Sequence, residues 1–175
     1  MMRFVLLLLP LLLGACGLQP LYGGGPAGPV SQALGQVAVA PIEGKSGWLM
    51  RNALNDRLGA IGSGQARYRL DVKLDDELSG FGLLADDTVT RERRTLRARY
   101  QLVDLTSDAV VLDATAGSDT GIDVVSSEYA TIAAEDRALE NLSQTVADQI
   151  VARLALYARN GGTVPKNGAS AAPSQ

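Results

Sequence analysis

Three stretches between residues 66 and 117 alternate apolar and polar side chains with a period of two. That period commits this part of the chain to strands with one buried and one wet face. In residues 66–78, Tyr68, Leu70, Val72 and Leu74 alternate with Arg67, Arg69, Asp71, Lys73 and Asp75. In residues 88–105, Leu96, Ala98, Tyr100 and Leu102 face one way, and Arg91, Arg93, Thr95, Arg97, Arg99 and Gln101 face the other. Residues 109–117 supply a third strand, with Val110, Leu112 and Ala114 expected inward and Val111, Asp113 and Thr115 outward. Thr106-Ser107-Asp108 reads as the second turn of a meander. Residues 79–87 read as the first, a glycine-bearing loop whose Phe81, Leu83 and Leu84 are unusually apolar for a tip.

A short β-rich run at residues 37–42 precedes this meander, and Pro41 places it near an edge. Ser46 is a candidate cap for a helix over residues 47–60, with Met50, Ala53, Leu54, Leu58 and Ile61 along one side. Trp48 in its first turn is expected to be a packing anchor. A long helix is expected over residues 129–159, where Ile132, Leu139, Leu142, Val146, Ile150 and Leu154 form one apolar stripe. The order β-α-β-β-β-α predicts an α+β, two-layer sandwich: an antiparallel meander with both helices on one face.

The chain ends follow a different logic. Met1-Met2-Arg3 and the apolar run to Leu13 form a basic start and an apolar stretch of signal-peptide length. The run is too short to span a bilayer, which takes roughly 20 apolar residues. It stops at Leu13-Gly14-Ala15-Cys16, which resembles a bacterial lipobox. Residues 1–15 are therefore expected to be removed, and Cys16, the one cysteine in the sequence, to carry lipid such as palmitate. Each buried lipid CH₂ contributes about 0.8 kcal/mol, so two or more acyl chains give durable anchoring. Residues 16–35 are rich in Gly and Pro and are expected to form a flexible tether. Residues 36–159 form one domain in this scheme, and residues 160–175 a disordered tail.

Composition excludes most catalysis. The chain has no histidine, so Ser-His-Asp triads, Cys-His dyads and His-based zinc sites are impossible. Removing residues 1–15 takes away Arg3 and leaves 15 basic against 19 acidic residues, an unfavourable balance for nucleic acid. The acidic pairs near the first turn, Asp75-Asp76-Glu77 and Asp86-Asp87, lack EF-hand spacing and read as solvated turn acids. No enzyme activity, cofactor or metal is expected.

Two constellations remain as candidate sites. If both long alternations hold, Arg67, Arg69, Lys73, Arg91, Arg93, Arg97 and Arg99 project from one sheet face, broken on those two strands by Asp71 and Asp75. Arginine forks suit phosphate or carboxylate, so the stripe is a candidate site for anionic lipid; the alternative is a solvated face that discourages aggregation. Phe81, Leu83 and Leu84 are candidates for partner contact.

The start Cys16-Gly17-Leu18-Gln19-Pro20-Leu21-Tyr22 resembles the "CGxxPLY" opening of the lipopolysaccharide-assembly lipoproteins, the LptE family, in its alphaproteobacterial form. The element order and the opening of the last helix, Tyr129-Ala130 with Ala133, Glu135, Asp136 and Ala138, resemble the same family. The resemblance implies a lipid-anchored, non-enzymatic protein on the periplasmic face of the outer membrane. It implies docking inside a large β-barrel, LptD, help in assembling it, and binding of lipopolysaccharide in transit. An auxiliary lipoprotein of an inner-membrane ABC-type lipid transport system is the alternative.

Overall fold

A computed structural model describes residues 28–59, 66–83, 89–125 and 127–162. The elements run α1 (Pro29–Leu34), β1 (Val37–Val39), α2 (Gly44–Leu58), β2 (Tyr68–Leu83), β3 (Val89–Asp104), β4 (Ala109–Asp123) and α3 (Glu128–Arg159). The expected α+β sandwich is present, with one helix added at the start. The four strands form one sheet in the order β1-β2-β3-β4. β2, β3 and β4 are the antiparallel meander, while β1 pairs in parallel with the start of β2, Val37 opposite Tyr68 and Val39 opposite Leu70.

One core joins the sheet to the helices. Leu70, Leu96, Tyr100 and Leu102 on the sheet pack with Met50 and Leu54 of α2 and with Leu139, Val146, Ile150 and Leu154 of α3. Each such large apolar side chain contributes about 1.5–3 kcal/mol on burial. α2 ends at Gly59, whose positive φ of 63° provides the left-handed cap, its N–H donating to the Asn55 carbonyl. α3 is capped at Ser127, whose hydroxyl accepts from the Ala130 N–H at 3.4 Å.

Several expectations are corrected by the packing. Residues 29–35 are not part of a loose tether. Pro29 starts α1 at the position where its missing N–H costs nothing, and Val30 and Leu34 are buried in the core. α2 begins at Gly44, upstream of Ser46, and its cap position is Glu43, without a side-chain capping bond. Trp48 is not an anchor: it is 64% exposed. Ile132 leaves the expected stripe and is 50% exposed in the first turns of α3. Val110 is also exposed, because the β3–β4 ladder shifts register between Leu102 and Val103. The shift places Val110 opposite Val103 and tucks Val111 against the core beside Leu112, as a bulge does. Ile61 and the tail beyond Gly162 lie outside the described residues.

The largest difference is at the expected first loop. β2 continues through Ser79, Gly80 and Phe81 to Leu83, which pairs with Val89. The glycines here sit within a strand instead of making the turn, and the turn moves to residues 84–88, outside the described residues. The alternation also splits Asp75-Asp76-Glu77. Asp76 lies on the helix side with Arg94, whereas Asp75 and Glu77 share the outer face with their partners Arg97 and Thr95.

Candidate functional site

The outer face of the sheet, away from the helices, carries the candidate site. Residues directly opposite in antiparallel strands share a face. The β2–β3 register therefore puts Lys73 beside Arg99, Asp75 beside Arg97, Ser79 beside Arg93 and Phe81 beside Arg91. Arg69 belongs to the same face through its place in the β2 alternation. Six of the seven predicted cations are thus brought together. Arg67 is not: it sits just before β2, 3.6 Å from Asp104, with its guanidinium 5.1 Å from the Tyr68 ring centre at the end of the sheet.

The third strand changes the electrostatics. β4 runs to Asp123, beyond the expected end at Gly117, and its outward positions hold Asp113, Asp119 and Asp123. With Asp71, Asp75 and Glu77 on β2, six carboxylates share the face with six cations. The segregated positive field expected from two strands becomes a laced ion-pair surface. Arg91 reaches Asp123 at 2.9 Å, Arg93 reaches Asp119 at 3.6 Å, Arg99 reaches Asp113 at 3.0 Å and Arg69 reaches Asp71 at 2.9 Å. Asp113 also accepts from the Gln101 amide at 2.8 Å. The bond from Arg99, then that from Gln101, holds the Asp113 carboxyl below its ordinary range, and Asp113 raises Arg99 in return. The signal for these acids was present in the β4 alternation, but Ser118, Asp119 and Thr120 read as an irregular polar stretch.

Two cations stand apart. Lys73 and Arg97 make no ion pair among the described residues. Both border a shallow depression of about 540 Å³, together with Asp75, Arg99, Thr115 and Gly117. Gly117 lies opposite Arg97 and has no side chain to fill the space above the strand. Its backbone is fixed from the sheet edge by Gln149 of α3. The Gln149 amide oxygen accepts from the Gly117 N–H at 3.2 Å, and its NH₂ donates to the Gly117 carbonyl at 3.3 Å. A second hollow of about 260 Å³ shares Lys73 and Arg99 and extends to Pro41 and Gln101.

The partner-contact candidates lie further along the β2–β3 hairpin. Phe81 is 41% exposed and lies 5.4 Å below the Arg93 guanidinium, a stacking contact on the outer face. Leu83 is in β2 opposite Val89, and Leu84 lies outside the described residues, as does Cys16. The hairpin is tied to α3 on its inner side. Arg94 donates two bonds of 2.8 Å to Asp76 and one of 3.1 Å to the Glu135 carbonyl. No group of three or more Asp, Glu or Cys side chains suited to a metal occurs among the described residues.

No curated protein matches the chain by sequence. The family model described as lipopolysaccharide-assembly, LptE, matches residues 34–154, from the end of α1 to the last turns of α3. The chain belongs to the LptE family. Solved structures show the same fold. A protein from Caulobacter crescentus is 23% identical, with a TM-score of 0.65 over 77% of this chain and 98% of that one. Rare lipoprotein B from Shewanella oneidensis is 11% identical, with a TM-score of 0.58 over 73% and 97% of the two chains. A minor lipoprotein from Acinetobacter baumannii is 15% identical, with a TM-score of 0.54 over 69% and 88%. LptE proteins are non-enzymatic envelope lipoproteins of lipopolysaccharide assembly, and the expected class of this chain is the one its family has.

Proposed function

We propose that this LptE-family chain is an outer-membrane lipoprotein, anchored on the periplasmic side through lipid on Cys16 after removal of residues 1–15. It docks in the LptD β-barrel, helps that barrel assemble and binds lipopolysaccharide on its way to the surface. The observation that carries this reading is the family match across residues 34–154, which includes every strand and most of α3. The geometry supports it in two ways. Among the described residues the outer sheet face is free of helices and carries arginines, two of its cations without a carboxylate partner, which suits an anionic glycolipid. The β2–β3 hairpin carries Phe81, 41% exposed beneath Arg93, as an apolar surface for a partner.

The test is an affinity pull-down of the tagged full-length protein from mildly solubilised envelopes, read by mass spectrometry. One large outer-membrane β-barrel in near-equal amount is the expected result. Recovery of an ATPase with its permease, or of no partner, refutes docking in a barrel.

A further inference from the structure

We infer that the outer sheet face holds one discrete phosphate subsite, formed by Lys73, Arg97 and Arg99 over Gly117, instead of binding anions along its whole length. The inference rests on the glycolipid-binding reading and narrows it to one place and one chemical group.

Three observations converge on this place. The first is the placement of like charges side by side, of which Asp113 answers Arg99 alone. Lys73 lies directly opposite Arg99, and Arg97 follows on the same strand and face. Like charges directly opposite in a sheet are destabilising, and an anion seated between them removes the repulsion. The second is the distribution of counter-charge. The cations further along the hairpin, Arg91 and Arg93, already hold Asp123 and Asp119, and Arg69 holds Asp71. Lys73 and Arg97 hold no carboxylate among the described residues, although Asp75 is the direct cross-strand partner of Arg97. The third is space. Gly117 is in the lining of a depression of about 540 Å³ that Lys73, Arg97 and Arg99 border, with Asp75 and Thr115 beside them.

The chemistry of the group follows from the donors. On this face a carboxylate is satisfied by one arginine, as Asp113 is by Arg99 with help from Gln101. Lys73 and Arg97, which hold no carboxylate among the described residues, border one hollow with Arg99, whose charge Asp113 answers; an ammonium and a guanidinium fork converging there beside Asp75 suit a group with several tetrahedrally disposed oxygens. The ligand is accordingly a phosphomonoester. It is carried by a glycolipid headgroup in the proposed function, and inorganic phosphate is the other source of the same group.

The experiment measures binding of the full-length protein in detergent to micelles containing a phosphorylated glucosamine-disaccharide lipid. The same lipid after dephosphorylation, and inorganic phosphate as competitor, form the other arms. Lys73→Gln/Arg97→Gln is expected to weaken binding at least about tenfold, and Arg91→Gln/Arg93→Gln by no more than about twofold. Gly117→Val fills the depression while keeping every charge. Its added Cβ meets Arg97 Cγ at 3.3 Å, and its binding loss is expected to match that of the double glutamine variant. Dephosphorylated lipid should bind the wild-type protein no better than phosphorylated lipid binds Lys73→Gln/Arg97→Gln. Far-UV circular dichroism and thermal melting establish that each variant is folded; a Gly117→Val protein that fails to fold leaves the two glutamine pairs to decide.

Equal losses in the two glutamine pairs would overturn the discrete subsite and leave glycolipid binding by the face intact. Wild-type protein that binds neither lipid would overturn the glycolipid reading itself, and displacement of the lipid by inorganic phosphate at equal concentration would overturn the assignment of the group to a lipid.

Discussion

Arg94 should be the strongest single link between the long hairpin and the helical layer. Its guanidinium forks onto both oxygens of Asp76 at 2.8 Å and bonds the Glu135 carbonyl of α3 at 3.1 Å. The two side chains are only 15% and 20% exposed, unlike the ion pairs on the outer face. The bond Arg94 donates to Asp76 outweighs the burial that opposes its charge and raises Arg94 above its ordinary value. Hydrogen bonds to charged groups contribute about 1.5–3 kcal/mol net. Arg94→Met removes both donors from a carboxylate that is mostly buried, so the expected loss is about 2–3 kcal/mol. Asp76→Ala leaves Arg94 its carbonyl partner and should cost less, about 1–2 kcal/mol. Replacing both should cost about 1–2 kcal/mol less than the sum of the two, because the second change strands no charge. Urea unfolding followed by circular dichroism, on protein without lipid, measures all corners of the cycle. A coupling below about 0.3 kcal/mol would refute the view that this pair fastens the hairpin.

Gly47→Ala offers a test in which two effects have opposite signs. Helix propensity favours alanine by about 1 kcal/mol, but the new Cβ would lie 2.6 Å from the Ile42 carbonyl oxygen, which is backbone and cannot swing away. Overpacking of about 1–3 kcal/mol should win, so a lowered urea midpoint is expected, and an unchanged or raised one would show that the connection at Ile42 can move away from α2 freely. Acid stability supplies a third test. Asp148 is held below the ordinary carboxylate range by the bond it accepts from Arg57, so the stability it contributes is present above that range and is lost as pH falls through the lower folded value. Asp148→Asn should flatten the loss of stability below about pH 4, by under about 1 kcal/mol because the carboxylate is two-thirds exposed; an identical acid profile would show that the pair is screened out.

The elements of this fold were legible where one periodicity ran unbroken. Leu70, Leu96, Tyr100 and Leu102 are buried where the alternation places them, and α3 carries Leu139, Leu142, Val146, Ile150 and Leu154 inward. The misreadings share a cause: the local signal was real but was overridden by tertiary contact. Glycines 80 and 82 looked like a turn, yet β3 offers a continuous ladder and holds them in a strand. Gly47 looked like a helix start, whereas its position demands the absence of a Cβ against Ile42. Gly28 and Pro29 looked like linker, but Val30 and Leu34 had a core to enter. A Trp in a first turn looked like an anchor because aromatic size usually finds burial, yet Trp48 is mostly exposed. The candidate site was half legible for a related reason. Alternation assigns side chains to faces strand by strand, while register decides which charges become neighbours. Only the β3–β4 pairing reveals that Arg91, Arg93 and Arg99 are answered by Asp123, Asp119 and Asp113.

That pairing bears on how such a face could select a ligand at all. An uncompensated ladder of arginines beside a membrane would attract any anionic surface, and its affinity would be spread over many equivalent positions. It would also repel itself along both strands. Carboxylates from β4 remove most of this field at close range, and exposed pairs of this kind add little to stability, so their main effect is on charge. What remains is local. The field survives where a glycine stands in the third strand in place of an aspartate, at Gly117, and there Lys73 and Arg97, which have no ion-pair partner among the described residues, border a depression. Gly121, the other outward glycine of β4, lies opposite Arg93, which reaches across to Asp119. The two glycines thus occupy equivalent positions in the alternation with opposite electrostatic outcomes. The difference lies in the neighbour: Arg93 has Asp119 one step along β4, whereas Arg97 lies between Thr115 and Asp119, and Asp119 is already engaged. Under the proposed phosphate subsite, selectivity on this surface is a product of which positions the third strand leaves unanswered, and moving that gap, with Gly117→Asp and Asp119→Gly together, should move phosphorylated-lipid binding from dependence on Arg97 to dependence on Arg93 without changing the net charge of the face.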